Sequence, residues 1–174
     1  LELVKSYRNG VKVFVDYAHT PDALLKSLIS LKIDYKNNIS LVFGCGGERD
    51  QTKRPIMAKI ADDYCKNIYI TDDNPRSENP KKIRDELFKY IKKNKVLNIG
   101  DRKLAIKKAI QQANPGEIIL VAGKGHEEQQ IYKDKIVNIS DKKIIKKLKV
   151  KTKIIIKKKQ NFIQNRLILR NVLG

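Results

Sequence analysis

Apolar positions along the chain change their period again and again. Near-continuous β-branched runs alternate with stretches whose apolar residues recur every three or four positions, as Ile83, Leu87 and Ile91 do. The first pattern belongs to strands buried on both faces, the second to helices that bury one face. VKVFVDY (11–17) precedes PDALLKSLISLK (21–32), and ISLVFGC (39–45) precedes KRPIMAKIADDYC (53–65). NIYITDD (67–73) then leads to PKKIRDELFKYIKK (80–93), and KVLNIG (95–100) to DRKLAIKKAIQQA (101–113), before a last run, EIILVAG (117–123). Repeated strand–helix–strand units predict an α/β fold with a parallel sheet and right-handed crossovers. After Gly123 the rhythm changes: QQIYKDKIVNI (129–139) reads as a hairpin or a pair of short edge strands, followed by a short helix capped near Ser140 or Asp141. These residues predict a domain over 1–148, with 149–174 as a basic tail or a linker toward a fused domain.

The polar clusters of the chain are not evenly spread. DYAHTPD, GCGGERDQTKRP, TDDNPRSENP, GDR and AGKGHEEQ each follow a predicted strand, whereas KIDYKNN, CKN, KKNK and NPGE at the opposite ends are plain surface sequence. Parallel sheets bind ligands outside the carboxyl ends of their strands. All five clusters therefore belong to one edge, and the pattern is that of a binding or catalytic domain.

Composition adds limits. With 174 residues, 41% of them hydrophobic, the chain can bury one core. No run approaches the roughly 20 apolar residues of a membrane helix, and LELVKSYRNG has none of the regions of a signal peptide. No membrane role is expected, and the default location is the cytoplasm. The net charge of +19 raises nucleic acid as a partner. Residues 142–174, however, hold ten Lys, two Arg and no acid, so subtracting their +12 leaves only +7 for the first 141 residues. Base recognition favours Arg and exposed aromatics. The chain has 30 Lys against 8 Arg and few interleaved aromatics, which argues against nucleic acid. A non-catalytic basic module that engages nucleic acid or an acidic surface through this tail is the rival reading. Cys45 and Cys65 lack the spacing of a disulfide framework or a zinc site.

GCGGERD permits close approach of backbone amides to an anion, or simple turns. It is not a dinucleotide fingerprint, because Arg49 stands where a third glycine would open the helix, and AGKGHE lacks P-loop spacing. His19 and His126 have no nucleophile at a triad-like spacing. In DDNPR, Pro75 stiffens the loop, Asn74 can donate and accept, and Arg76 offers a planar fork suited to a carboxylate.

Taken in order, VDYAHTPDAL, GCGGERDQTKRPIM, TDDNPRSENP, DRKLAIKKAI and AGKGHE resemble the C-terminal domain of the Mur ligase family, and within it the diaminopimelate-adding branch. The resemblance covers residues 1–148. It implies a Rossmann-like, mostly parallel sheet with helices on both faces and a C-terminal hairpin or edge strand. It also implies a role in an ATP-dependent, ADP-forming amide ligase of peptidoglycan synthesis. There the D-glutamate carboxylate of UDP-N-acetylmuramoyl-L-alanyl-D-glutamate is phosphorylated, and the amino group of meso-diaminopimelate attacks the acyl phosphate. Arg49, Asp73, Asn74, Pro75, Arg76, Gly123 and Glu127 would line the diaminopimelate site, with Asp16 and His19 near the nucleotide. No residue here is assigned a catalytic or metal-binding role. The family's P-loop, its carbamylated lysine for Mg2+ and its UDP-sugar domain have no counterpart in this sequence, and the start at Leu1 fits a fragment. Two positions depart from the family: Glu48 replaces the usual Asp, and Gln129 replaces a common aromatic.

Overall fold

The computed structural model describes residues 1–149. Its main sheet has six strands: β1 (Glu2–Ser6), β2 (Lys12–Asp16), β3 (Ile39–Phe43), β4 (Asn67–Ile70), β5 (Val96–Asn98) and β6 (Ile118–Ala122). They lie in the order β1-β2-β6-β3-β4-β5. All neighbours are parallel except β1, which runs antiparallel to β2. The crossover helices are α1 (Pro21–Tyr35), α2 (Lys53–Tyr64), α3 (Pro80–Phe88) and α4 (Arg102–Gln112). A small hairpin, β7 (Gln129–Ile131) and β8 (Ile136–Asn138), precedes α5 (Asp141–Lys147).

Strand order dictates where the helices go. From β2 through β3 and β4 to β5 the chain advances in one direction across the sheet, so right-handed crossovers place α1, α2 and α3 on one face. Their Leu24, Leu28, Leu31, Met57, Ala61, Ile83 and Leu87 share a core with Phe14, Leu41, Phe43, Ile70 and Leu120. The return from β5 to β6 reverses direction and puts α4 on the other face. There Ala105, Ile106, Ala109 and Ile110 pack with Val13, Val42, Val121 and Ile145 of α5. Every residue of β3 and β6 is buried, as central strands covered on both faces must be.

Caps mark the helix starts. Thr20, Asn79, Asp101 and Ser140 accept hydrogen bonds from backbone amides of the first turns of α1, α3, α4 and α5. The α/β class, the mostly parallel sheet, the helices on both faces and the C-terminal hairpin agree with the sequence reading. Two elements do not. β1 was not expected, because ELVKS is half-exposed and bulged at its middle and so shows no clean alternation. α3 ends at Phe88 rather than near residue 93: the amides of Tyr90 and Ile91 bond back only three residues, to Leu87 and Phe88. This tighter turn still buries Ile91. The expected tail over 149–174 lies, apart from Lys149, outside the described residues.

Candidate functional site

Parallel pairing brings the carboxyl ends of the strands level: Asp16 pairs with Ala122, Val42 with Val121, and Phe43 with Ile70. The loops that follow β2, β3, β4 and β6 therefore meet around one cleft of about 420 Å3. Arg49, Asp73, Asn74, Arg76, Gly123, Glu127 and His19 all line it.

Contact between the loops after β3 and β4 sets one wall. A Cβ on Gly47 would lie 1.9 Å from the Pro75 carbonyl oxygen, so only glycine lets the two backbones come this close. The Gly47 amide donates to the Asn74 carbonyl at 2.9 Å. Arg76 holds a left-handed φ of 53°, costly for a residue with a side chain. Tertiary bonds keep it there: its amide donates to Ile131 O at 2.9 Å, and its Nη1 donates to Gly47 O at 2.9 Å and Asn74 O at 3.2 Å. Among the described residues Nε and Nη2 of Arg76 have no hydrogen-bond partner. One edge of the guanidinium anchors it, and the other nitrogens remain to bind an anion.

The facing wall comes from the loop after β6. Gly123, at φ 109°, leaves room for Asp73, whose Oδ2 would stand 2.6 Å from a Cβ there. Asp73 Oδ1 accepts from the Asn74 amide at 2.7 Å. Asn74 is spent on protein groups: Oδ1 accepts from Lys124 Nζ and from the Ile131 amide, each at 3.0 Å, and Nδ2 donates to Glu127 Oε2 at 3.0 Å. Lys124 Nζ also donates to Glu127 Oε2 at 2.9 Å. Burial acts to raise the Glu127 pKa, but the hydrogen bonds from Lys124 and Asn74 and the charges of Lys124 and Arg76 outweigh it, leaving a net lowering. Glu127 is thus held as a carboxylate.

The remaining predicted residues divide. Arg49 is exposed at the rim and donates from Nη1 to Glu48 O at 3.1 Å. His19 Nδ1 lies 2.9 Å from Tyr17 O, and its ring meets the Tyr17 ring at 4.7 Å. Pro75 stands behind the wall, with its carbonyl against Gly47. Asp16 is turned away from the cleft: Oδ2 accepts from Ser27 Oγ and Oδ1 accepts from the Tyr17 amide at 2.8 Å. Glu48 accepts from Ser77 Oγ, so the longer carboxylate reaches the neighbouring loop. Gln129 is exposed on the hairpin, while Gln130 is buried and donates to Asp72 O at 2.9 Å.

Two residues central to the arrangement had no recognisable signal in the sequence. Lys124 looks there like a failed P-loop lysine, yet it is 1% exposed between Asn74 and Glu127. Arg54, also 1% exposed, donates to Glu86 at 2.8 Å and to Glu78 at 2.9 Å, tying α2 to the loop that carries Arg76.

The cleft pairs cations (Arg49, Arg76) with anions (Asp73, Glu127) and suits a small zwitterion. Burial pushes the Cys45 thiol up to about 12, so it is no nucleophile. Among the described residues no group of three or more His, Cys, Asp or Glu side chains converges as a metal site.

A family model described as Mur ligase, glutamate ligase domain, matches residues 1–125. The UDP-N-acetylmuramoyl-L-alanyl-D-glutamate–2,6-diaminopimelate ligase of Buchnera aphidicola subsp. Schizaphis graminum is 52% identical over 138 residues, covering 79% of this chain and 28% of that protein. The ligase of the same name from Wigglesworthia glossinidia brevipalpis is 51% identical, over 81% of this chain and 29% of its own length. A solved structure of a ligase of that name superposes with a TM-score of 0.76 at 37% identity, covering 83% of this chain and 30% of the other. The chain thus spans less than a third of the length of the curated relatives it matches. The match over most of its residues, with a fold and a level of identity to agree, means that the chain belongs to the Mur ligase family and carries its glutamate ligase domain.

Proposed function

We propose that residues 1–148 are the amino-acid-recognition domain of an ATP-dependent, ADP-forming ligase acting in the cytoplasm, one that adds meso-diaminopimelate to UDP-N-acetylmuramoyl-L-alanyl-D-glutamate in peptidoglycan synthesis. The observation that carries this reading is the anchored Arg76 sharing a cleft with an ionised Glu127. Diaminopimelate differs from lysine by a second carboxylate beside its distal amino group. Arg76 takes that carboxylate through its remaining guanidinium nitrogens, and Glu127 accepts from the distal ammonium. Asp73 and Arg49 complete the charge pattern around the amino acid.

ATP supplies the phosphoryl group that activates the D-glutamate carboxylate as an acyl phosphate. The free amino group of diaminopimelate attacks that carbonyl, the amide bond forms, and phosphate leaves. ATP, Mg2+ and the UDP-sugar belong to the family's other domains. The work of this domain is to hold and orient the amine. The basic-module reading finds no support in the relatives, and the tail on which it depends lies outside the described residues.

Calorimetry on the complete ligase carrying this domain tests the proposal. Meso-diaminopimelate is expected to bind in preference to lysine, and Arg76→Ala to remove about 2–5 kcal/mol of that preference. Equal affinity for the two amino acids, or an Arg76→Ala variant with its preference intact, overturns it.

A further inference from the structure

Lys124 is a cation buried in the cleft wall, 1% exposed, yet it does not line the cavity. Its ammonium bridges two side chains that do: Asn74 Oδ1 at 3.0 Å and Glu127 Oε2 at 2.9 Å. Asn74 closes the ring through Nδ2 to the same Oε2 at 3.0 Å.

The donors decide how these groups point. Asn74 Oδ1 receives two hydrogen bonds, from Lys124 Nζ and the Ile131 amide. A flipped amide would set its NH2 against both donors, so its orientation is determined and Nδ2 must face Glu127. Glu127 Oε2 then accepts twice from the protein, whereas Oε1 has no partner among the described residues. The carboxylate is two-sided, with one oxygen spent on the wall and one left for a ligand.

We infer that Lys124 is a positioning residue of the amino-acid site: it locks Asn74 and turns Glu127 so that a single carboxylate oxygen is offered to the bound ammonium, without itself touching the amino acid. The inference rests on the recognition role proposed above. Its consequence for charge is that the buried ammonium balances Glu127, so the carboxylate stays ionised at the edge of an otherwise buried wall.

Two measurements test it. In steady-state kinetics of the complete ligase, Lys124→Met is expected to raise KM for meso-diaminopimelate about tenfold or more, with kcat changed less than about threefold. The acid limb of its kcat/KM profile should move to higher pH. In a Glu127→Gln background the same substitution should add little, because the effect passes through the carboxylate. A Lys124→Met variant with unchanged KM and pH profile, or one with the full effect in the Glu127→Gln background, overturns the inference. Where Lys124→Met fails to fold, carbon-13 NMR titration of the unsubstituted chain decides: Glu127 must titrate below the ordinary glutamate range, and a value within or above it overturns the inference. A ligase that binds lysine and diaminopimelate equally refutes the proposed function instead, and the Glu127 titration does not depend on that result.

Discussion

Arg102 meets Asp141 through two parallel hydrogen bonds, Nε to Oδ1 at 2.9 Å and Nη2 to Oδ2 at 2.7 Å, with neither side chain more than 1% exposed. The pair joins the first residue of α4 to the first residue of α5. Nη2 also donates to the Ala122 carbonyl at 3.0 Å, where β6 ends and the cleft loop begins. Burial works against the charged guanidinium, but the charge and hydrogen bonds of Asp141 prevail and its pKa is raised. Removing one partner leaves the other charged and buried. Arg102→Met should therefore destabilise the fold by about 3–5 kcal/mol, read as a lower urea midpoint, and Arg102→Met with Asp141→Leu should recover much of it. A loss below about 1 kcal/mol for the single variant would contradict this account.

Gly47 predicts a second effect. Because its Cβ would fall 1.9 Å from Pro75 O, Gly47→Ala must push the loop after β4 outward. Overpacking of this kind costs about 1–3 kcal/mol. The same shift should loosen the Arg76 bonds to Gly47 O and Asn74 O, so selectivity for diaminopimelate should fall along with the melting temperature. An unchanged melting temperature would show that the two loops part without cost.

Acid should weaken the fold through Glu78 and Glu127. For Glu78, as for Glu127, burial raises the pKa but is outweighed: the Glu48 amide and the Arg54 guanidinium hold it below the ordinary 4.5. A carboxyl whose folded pKa lies below its unfolded one stabilises the fold above the unfolded value and loses that contribution as pH falls through the folded value. Urea midpoints should be steady from neutral pH to about 5 and drop below about 4.5. In Glu78→Gln the drop should be shallower, and an equally steep limb would exclude Glu78 as its source.

Neither thiol should react while the domain is folded. Burial pushes Cys45 and Cys65 each up to about 12, which leaves almost no thiolate near pH 8. Iodoacetamide labelling followed by mass spectrometry should find both unmodified in native buffer and modified in urea. Rapid labelling of either one in native buffer would mean that its side of the core opens.

Much of the site was legible because the strands are parallel. The parallel strands β2 to β6 all end at the same edge, so clusters such as TDDNPRS and AGKGHE lie on that edge, while the strand order decides which of them become neighbours. The pattern marked the edge and its clusters, the family resemblance picked out Arg49, Asp73, Asn74, Arg76, Gly123 and Glu127 within them, and these six line one cleft. Asp16 and Pro75, named by the same resemblance, stand behind it, because side-chain direction at a strand end depends on local contacts such as Ser27 Oγ on Asp16.

By itself the sequence determined the alternation of buried strands and one-faced helices, the cap of the last helix at Ser140 and the edge on which chemistry had to lie, since local periodicity records burial directly. Tertiary structure alone decided that β6 inserts between β2 and β3, which carries the Gly123–Glu127 loop to the loop after β4. It alone placed Lys124 on Asn74, 50 residues away, and let the half-exposed β1 pair at the edge. Such contacts follow from which surfaces pack and which buried charges find partners. No local pattern in the chain encodes those pairings, because the cost of leaving a buried ammonium alone is set only once the loops have met.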